Sequence, residues 1–179
     1  MTVAAATAGT AVTTATTNTI TTPDGPFTVI TADGSVLASG WTDDVASLLA
    51  LIHPALRPGA VEPVVGATPA GDAVRAYYDG DLQAPARLAV RQRSGPYRES
   101  AWETLRQVAP GERVTYTELA ARTGRPGAVR AAAGACAMNA AALFVPCHRV
   151  LRSDGALGGF RYGLPIKESL LGREHGDRR

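Results

Sequence analysis

The hexapeptide VPCHRV, residues 145–150, sets Cys147 between a proline and His148, with Arg149 immediately after. A structural cysteine behaves as a small apolar residue and needs no charged neighbours. Cationic neighbours, by contrast, favour the thiolate and lower a pKa that is about 8.5 in free cysteine. Cys147 therefore reads as a candidate nucleophile, with a buried structural thiol as the competing reading. The other cysteine, Cys136, lies eleven positions earlier. Such a pair is neither a disulfide framework nor the CxxC of a zinc site, and a reducing cytoplasm is the expected setting.

The rest of the chain must position that thiol. At 179 residues, 45% hydrophobic and 19% charged, it can bury a core as one domain or two small ones. Its net charge of +2 hides a division: residues 1–90 carry three arginines against eight acidic residues, net −5, and residues 91–179 carry fifteen basic against eight acidic, net +7. An asymmetry of this kind is the footprint of a polyanion partner on one half, with a solvated basic surface as the alternative.

Residues 1–20 are rich in Ala and Thr. They lack the basic start and compact apolar block of a signal peptide, and threonine interrupts them too often for a membrane span. A flexible tail is expected there, with an added strand as the alternative. No membrane partner is expected. GPFTVITADGSVLASGW alternates about Asp33-Gly34 as a β-hairpin does, DDVASLLALI reads as a short helix, and AGDAVRAYYDG as a second one ending at Gly80. The expected division is a tail over 1–20, a small mixed α/β domain over 21–90, a mainly helical domain over 91–176 and a tail over 177–179.

In the second half, PYRESAWETLRQVAPG presents Tyr97, Ala101, Trp102, Leu105 and Val108 on one helical face. TYTELAARTG follows, with Thr117 as the expected cap, and AVRAAAGACAMN makes a third helix. Two short helices joined by a tight glycine-containing turn suggest a helix-turn-helix, an ordinary helical hairpin being the alternative. Reading bases in the major groove needs Asn, Gln, Arg or Lys along a helix face. RAAAGACA offers only Arg130. Its small residues suit a close backbone approach to the minor groove and its phosphates, with Arg130 as a wedge, or else tight helix packing.

SGPYRESAWETL, GERVTYTELAARTG, AVRAAAG, Asn139, VPCHRV and DGALGGFRYGLPIKESLLGREHG, in that order, resemble the alkylguanine-DNA alkyltransferases, the methylated-DNA–protein-cysteine methyltransferases. The likeness is strong over residues 90–176 and looser over 22–89. It implies an α/β (α+β) fold with a winged-helix-like C-terminal domain, acting as a monomer on double-stranded DNA that contains O6-alkylguanine. Cys147 matches the acceptor, His148 the residue that takes the thiol proton through a water, and Glu174 the carboxylate that orients the histidine. Tyr116 matches the proton donor to the leaving guanine, and Asn139 the link between recognition helix and acceptor segment. Arg130 matches the arginine that fills the gap left by a flipped nucleotide. Backbone groups of Cys147 and Val150 are expected at the base edge and Phe160 as the far wall. Thr115, Ala131, Gly134, Ala135 and Arg161 complete the expected DNA and substrate contacts.

The resemblance also implies an acceptor used once, with the DNA itself as alkyl donor and no cofactor. Some relatives hold zinc through N-terminal Cys and His; residues 1–90 offer no cysteine and only His53, so no metal is expected. The chain departs from the family's pattern at Phe160, where tyrosine is usual, at Ala133, where glycine is common, and at Ala140, where proline normally follows the asparagine. Two other functions compete. A damage-sensing alkyltransferase-like protein would lack the cysteine, and a helix-turn-helix transcription regulator would need a face richer in base-reading side chains.

Overall fold

The computed structural model describes residues 14–176. Its first half is a five-stranded sheet in the order β4-β1-β2-β3-β5, from β1 (Thr14–Thr22), β2 (Gly25–Ala32), β3 (Ser35–Gly40), β4 (Ala60–Pro63) and β5 (Ala89–Val90). The β1-β2 and β2-β3 pairs are antiparallel, and β4 and β5 join the edges in parallel. Asp33 (φ 50°) and Gly34 (φ 73°) both lie in the left-handed region. That is the turn geometry whose twist matches a two-residue hairpin, so the β2-β3 hairpin forms where the Asp-Gly pair places it.

The expected flexible tail is corrected over residues 14–20, which belong to β1; the rest of that tail and residues 177–179 lie outside the described residues. The strand forms because its β-branched threonines pair across the ladder. Thr16 bonds Thr31 at 2.9 Å and Thr19 bonds Thr28 at 2.8 Å, while Ala15 and Ile20 enter the core.

Helix α1 (Val45–Leu51), capped by Asp44, and α2 (Pro69–Tyr78), capped by Thr68, pack against this sheet. The second half is helical: α3 (Pro96–Arg106), α4 (Tyr116–Arg122), α5 (Val129–Ala137) and α6 (Leu164–Glu174), with a two-stranded parallel ladder of β6 (Val114–Thr115) and β7 (Val150–Leu151). The cap of α4 is Thr115, not Thr117. Thr115 Oγ1 accepts from the Glu118 amide at 3.1 Å and Glu118 reaches back to the Thr115 amide at 2.6 Å, so the capping box sets the start two residues earlier. Helices α4 and α5 pack together, and Trp102 of α3 donates its indole N–H to the Ala135 carbonyl of α5 at 2.8 Å. No helix among the described residues is long and apolar enough to cross a membrane.

The sheet domain and the helical domain share one main core. Phe27, Val36, Trp41, Val74 and Tyr77 from the first half pack in the same cluster as Leu105, Leu119, Phe144 and Leu170 from the second. Strand β3 makes the polar join. The Ser39 amide donates to Ala140 O at 2.8 Å and its hydroxyl to Ala142 O at 2.7 Å, so the chain leading to Cys147 is stitched to the sheet edge. Beside it, Gly40 leaves room for Tyr162: a Cβ there would lie 1.8 Å from the Tyr162 hydroxyl oxygen, which donates to Ser39 O at 3.3 Å.

Gly40→Ala should therefore destabilise the protein by about 1–3 kcal/mol, the usual range for overpacking. In a Tyr162→Ala background the same change should cost little, and a double-mutant cycle of thermal unfolding measures the difference. Equal losses in both backgrounds would show that the two residues do not oppose each other.

Candidate active site

Cys147 opens a single 3-10 turn (Cys147–Arg149) between a buried segment, residues 139–146, and β7. It is half-buried and lies on a cavity of about 340 Å³. Tyr116 at the start of α4, Ala133, Cys136 and Ala137 of α5, Asn139, Ala142 and residues 159–162 line the rest. Asn139 is almost fully buried; its Nδ2 donates to Val145 O at 2.8 Å and to Cys147 Sγ at 3.2 Å.

Burial pushes the Cys147 thiol up, and the Asn139 hydrogen bond and the Lys167 and Arg161 charges oppose that rise without cancelling it. The expectation that His148 and Arg149 lower the thiol pKa is thus corrected. Arg149 is turned away: its Nε and Nη2 donate to Glu174 Oε2 and Oε1, each at 2.9 Å, and its Nη1 donates to Val108 O at 2.6 Å. Sequence adjacency alternates direction, and a buried guanidinium goes where its carboxylate is.

Glu174, on the last turn of α6, collects more than that pair. Its Oε1 accepts from Tyr77 Oη at 2.9 Å and bonds His148 Nε2 at 2.8 Å, and the Gly111 amide points at Oε2 from 3.5 Å. Its side chain is 1% exposed and that of His148 is 0% exposed. Burial alone would raise the Glu174 pKa, but the hydrogen bonds from His148 and Arg149 and the Arg149 charge outweigh it and hold the carboxyl well below the usual range. Burial in turn lowers the His148 pKa, with Glu174 opposing and Arg149 reinforcing.

The result is a neutral imidazole beside an ionised carboxylate. A carboxylate only accepts, so Nε2 must carry the proton and Nδ1 keeps its lone pair. Nδ1 is buried and has no hydrogen-bond partner among the described residues. Chemically, this is a base held in one tautomer directly after a cysteine in the chain.

On the cavity's other sides, burial and then the two cysteines push the Tyr116 hydroxyl up to about 12, so it is a proton donor at neutral pH. Phe160 packs at a tilt against Trp41 (5.8 Å between ring centres) and edge-on against Tyr162 (5.8 Å), which hold it as a wall without a hydroxyl. Arg161 lines the cavity and donates to the Ala137 carbonyl, tying the wall to α5. Ala133 adds its methyl to the lining.

Helix α5 divides cleanly. Arg130 and Ala131 are exposed and Gly134 is half-buried, but Ala132 and Ala135 are fully buried. Ala135 is therefore corrected as a DNA contact: its methyl is in the core and its carbonyl holds Trp102. The Val150 side chain also lies in the core. The residue is fully buried, its amide bonds Cys147 O and its carbonyl accepts from Lys167 Nζ at 2.7 Å, and it does not line the cavity. The Thr115 hydroxyl oxygen is engaged as the α4 cap.

Three contributors escaped the sequence. Tyr77 comes from α2, 97 residues before Glu174, with no local signal to join them. Lys167, fully buried, donates to the carbonyls of Val150 and Leu157 and so fastens the turn after Cys147 to the loop before Phe160. Arg149 was visible in the motif, but not as the partner of Glu174.

Residues 96–176 match the family described as "6-O-methylguanine DNA methyltransferase, DNA binding domain". The chain is 34% identical over 158 residues to a methylated-DNA–protein-cysteine methyltransferase of Shigella flexneri, covering 87% of this chain and 92% of that one. It is also 46% identical over 90 residues to the bifunctional transcriptional activator/DNA repair enzyme Ada of Escherichia coli strain K12; the match covers 50% of this chain and only 25% of that larger protein. The Mycobacterium tuberculosis OGT crystallised in complex with DNA superposes with a TM-score of 0.74 at 30% identity, over 90% of this chain and 93% of that one. With one relative matched along nearly its whole length and the same architecture in a solved DNA complex, the chain belongs to the O6-methylguanine-DNA methyltransferase family, which repairs DNA by methyl transfer to a cysteine.

Proposed function

We propose that this protein reverses O6-alkylguanine damage in double-stranded DNA, accepting the alkyl group irreversibly on Cys147, and that it acts in the cytoplasm as a monomer of two domains, a sheet domain that includes all of β1 and a helical domain over 91–176. The observation that carries the reading is the Glu174-held His148 next to a thiol on a cavity of about 340 Å³. The thiol proton passes to His148 Nδ1 through a water, and the thiolate attacks the alkyl carbon in line. The S–C bond forms as the C–O6 bond breaks, and the electron pair leaves on guanine, which Tyr116 protonates. The positive charge left on the imidazolium is stabilised by Glu174, as in other nucleophile-histidine-acid relays. The alkyl group comes from the DNA and stays as a thioether, so each molecule works once and uses no cofactor.

Exposed Arg130, opening the small-residue face of α5, suits insertion into the stack when the base is extruded toward the cavity. Thr115, Ala131 and Gly134 would meet the backbone alongside it. The same face is poor in base-reading groups, as lesion recognition independent of sequence requires.

Cys147→Ser should abolish transfer of a labelled methyl from O6-methylguanine duplex while leaving DNA affinity nearly unchanged; Cys136→Ser should transfer normally. Label found on Cys136 would overturn the assignment.

Arg130→Ala should slow transfer from duplex DNA at saturating protein much more than transfer from free O6-alkylguanine base, since only the duplex must be unstacked, at a cost of about a few kcal/mol. Equal losses on both substrates would remove the wedge role.

Because the folded His148 pKa lies below its ordinary 6.5, the unfolded chain takes up a proton as pH falls through 6.5 and the folded chain resists. The stability this contributes is present above pH 6.5 and is lost on acidification. The unfolding free energy should drop between pH 7 and pH 5, and less steeply in His148→Gln; a flat wild-type profile would contradict the assigned neutral state.

A further inference from the structure

We propose that Gln92 is a positioning residue for the acceptor: its side-chain amide, clamped on Asn139 and Ala140, fixes which end of the Asn139 amide faces the Cys147 sulfur. A backbone N–H can only donate, so it fixes the polarity of whatever it meets. Ala140 is 3% exposed, and its backbone N–H donates to Gln92 Oε1 at 2.8 Å. With its oxygen held there, the other end of the Gln92 amide, Nε2, is a donor, and it points at Asn139 Oδ1 from 3.0 Å. Asn139 Oδ1 being thus an acceptor, Nδ2 is left to face Val145 O and the sulfur. The Ala141 amide, donating to the same Oδ1 at 3.1 Å, enforces the same sense.

The sense matters because Nδ2–H offers the sulfur a donor, which favours the thiolate against the burial that disfavours it. A flipped amide would present a carbonyl oxygen and disfavour the thiolate. The clamp also explains how the chain accommodates its departure from the family at position 140. Proline has no N–H to satisfy. Alanine brings a buried donor that would be costly without a partner, about 1–3 kcal/mol, and Gln92 supplies one. Ala140 is thereby anchored beneath the cavity, through Gln92 on one side and the Ser39 amide on its carbonyl at 2.8 Å on the other.

The role deepens the proposed function and rests on it, since a positioned thiol matters only if Cys147 is the acceptor. The test compares wild type with Gln92→Met, which keeps the side chain's length and removes both hydrogen-bonding groups; Gln92 is half-buried, and Gln92→Ala serves as a second variant. Alkylation of Cys147 by iodoacetamide is followed against pH, resolved from Cys136 by mass spectrometry, alongside single-turnover transfer and thermal unfolding. Both variants should show a raised apparent Cys147 pKa and transfer at neutral pH slowed by about fivefold, the worth of one ordinary hydrogen bond, with DNA affinity unchanged. A lowered midpoint of unfolding with thiol pKa and transfer rate as in wild type would mean a purely structural contact and overturn the proposal. Iodoacetamide needs no DNA, so a wild-type protein that failed to repair DNA would sink the functional reading while this comparison still stood.

Discussion

The Glu174 carboxylate is the constraint on which the structure turns. Taking a carboxylate out of water costs several kcal/mol unless its oxygens are fully matched. Here four matching groups come from three places: Tyr77 on α2, His148 and Arg149 on the acceptor turn, and the Gly111 amide ahead of β6. None is a neighbour in sequence, so all must arrive for any to be stable. Removing one partner of such a pair typically costs about 3–5 kcal/mol, because the remaining charge is left buried. The same carboxylate thus fastens the helical half to the sheet half and sets the tautomer of the base next to the acceptor.

The sulfur is governed by a balance of opposite sign. Burial holds it as a thiol, and the Asn139 donor with the Lys167 and Arg161 charges keeps the thiolate within reach. A permanently ionised thiolate would be open to oxidation before any lesion was met. A thiol that ionises only when a neutral base takes its proton keeps its reactivity for a substrate already in the cavity. The sheet half serves this balance at a distance: Ser39 holds the segment before Cys147, and Trp41 packs against both Phe160 and Tyr162 of the cavity wall.

Local signals in the sequence were enough for the β2-β3 hairpin, for α1 to α5 and for the acceptor motif. Asp33-Gly34, Asp44 and the helical spacing of Trp102 and Leu105 act within a few residues, and such physics can be read along the chain. Strand β1 was missed as the primary reading because an Ala/Thr run has little hydrophobic contrast, and its order comes from pairing with β2. The thiol pKa was misjudged because adjacency of Arg149 stood in for proximity. Ala135 went astray for a related reason: a family position carries over, but exposure depends on packing. Tyr77, Lys167 and Gln92 are each joined to the site only by the tertiary fold.

Burial keeps His148 neutral, and Glu174 holds its one proton on Nε2 and leaves Nδ1 free. Two-dimensional proton–nitrogen NMR of the imidazole rings at pH 7 reads this directly, with His148 identified by its absence from His148→Gln. The expected spectrum has a protonated Nε2 and a pyridine-like Nδ1, unchanged on acidification to below pH 6.5. A proton on Nδ1, or a doubly protonated ring at pH 7, would contradict it.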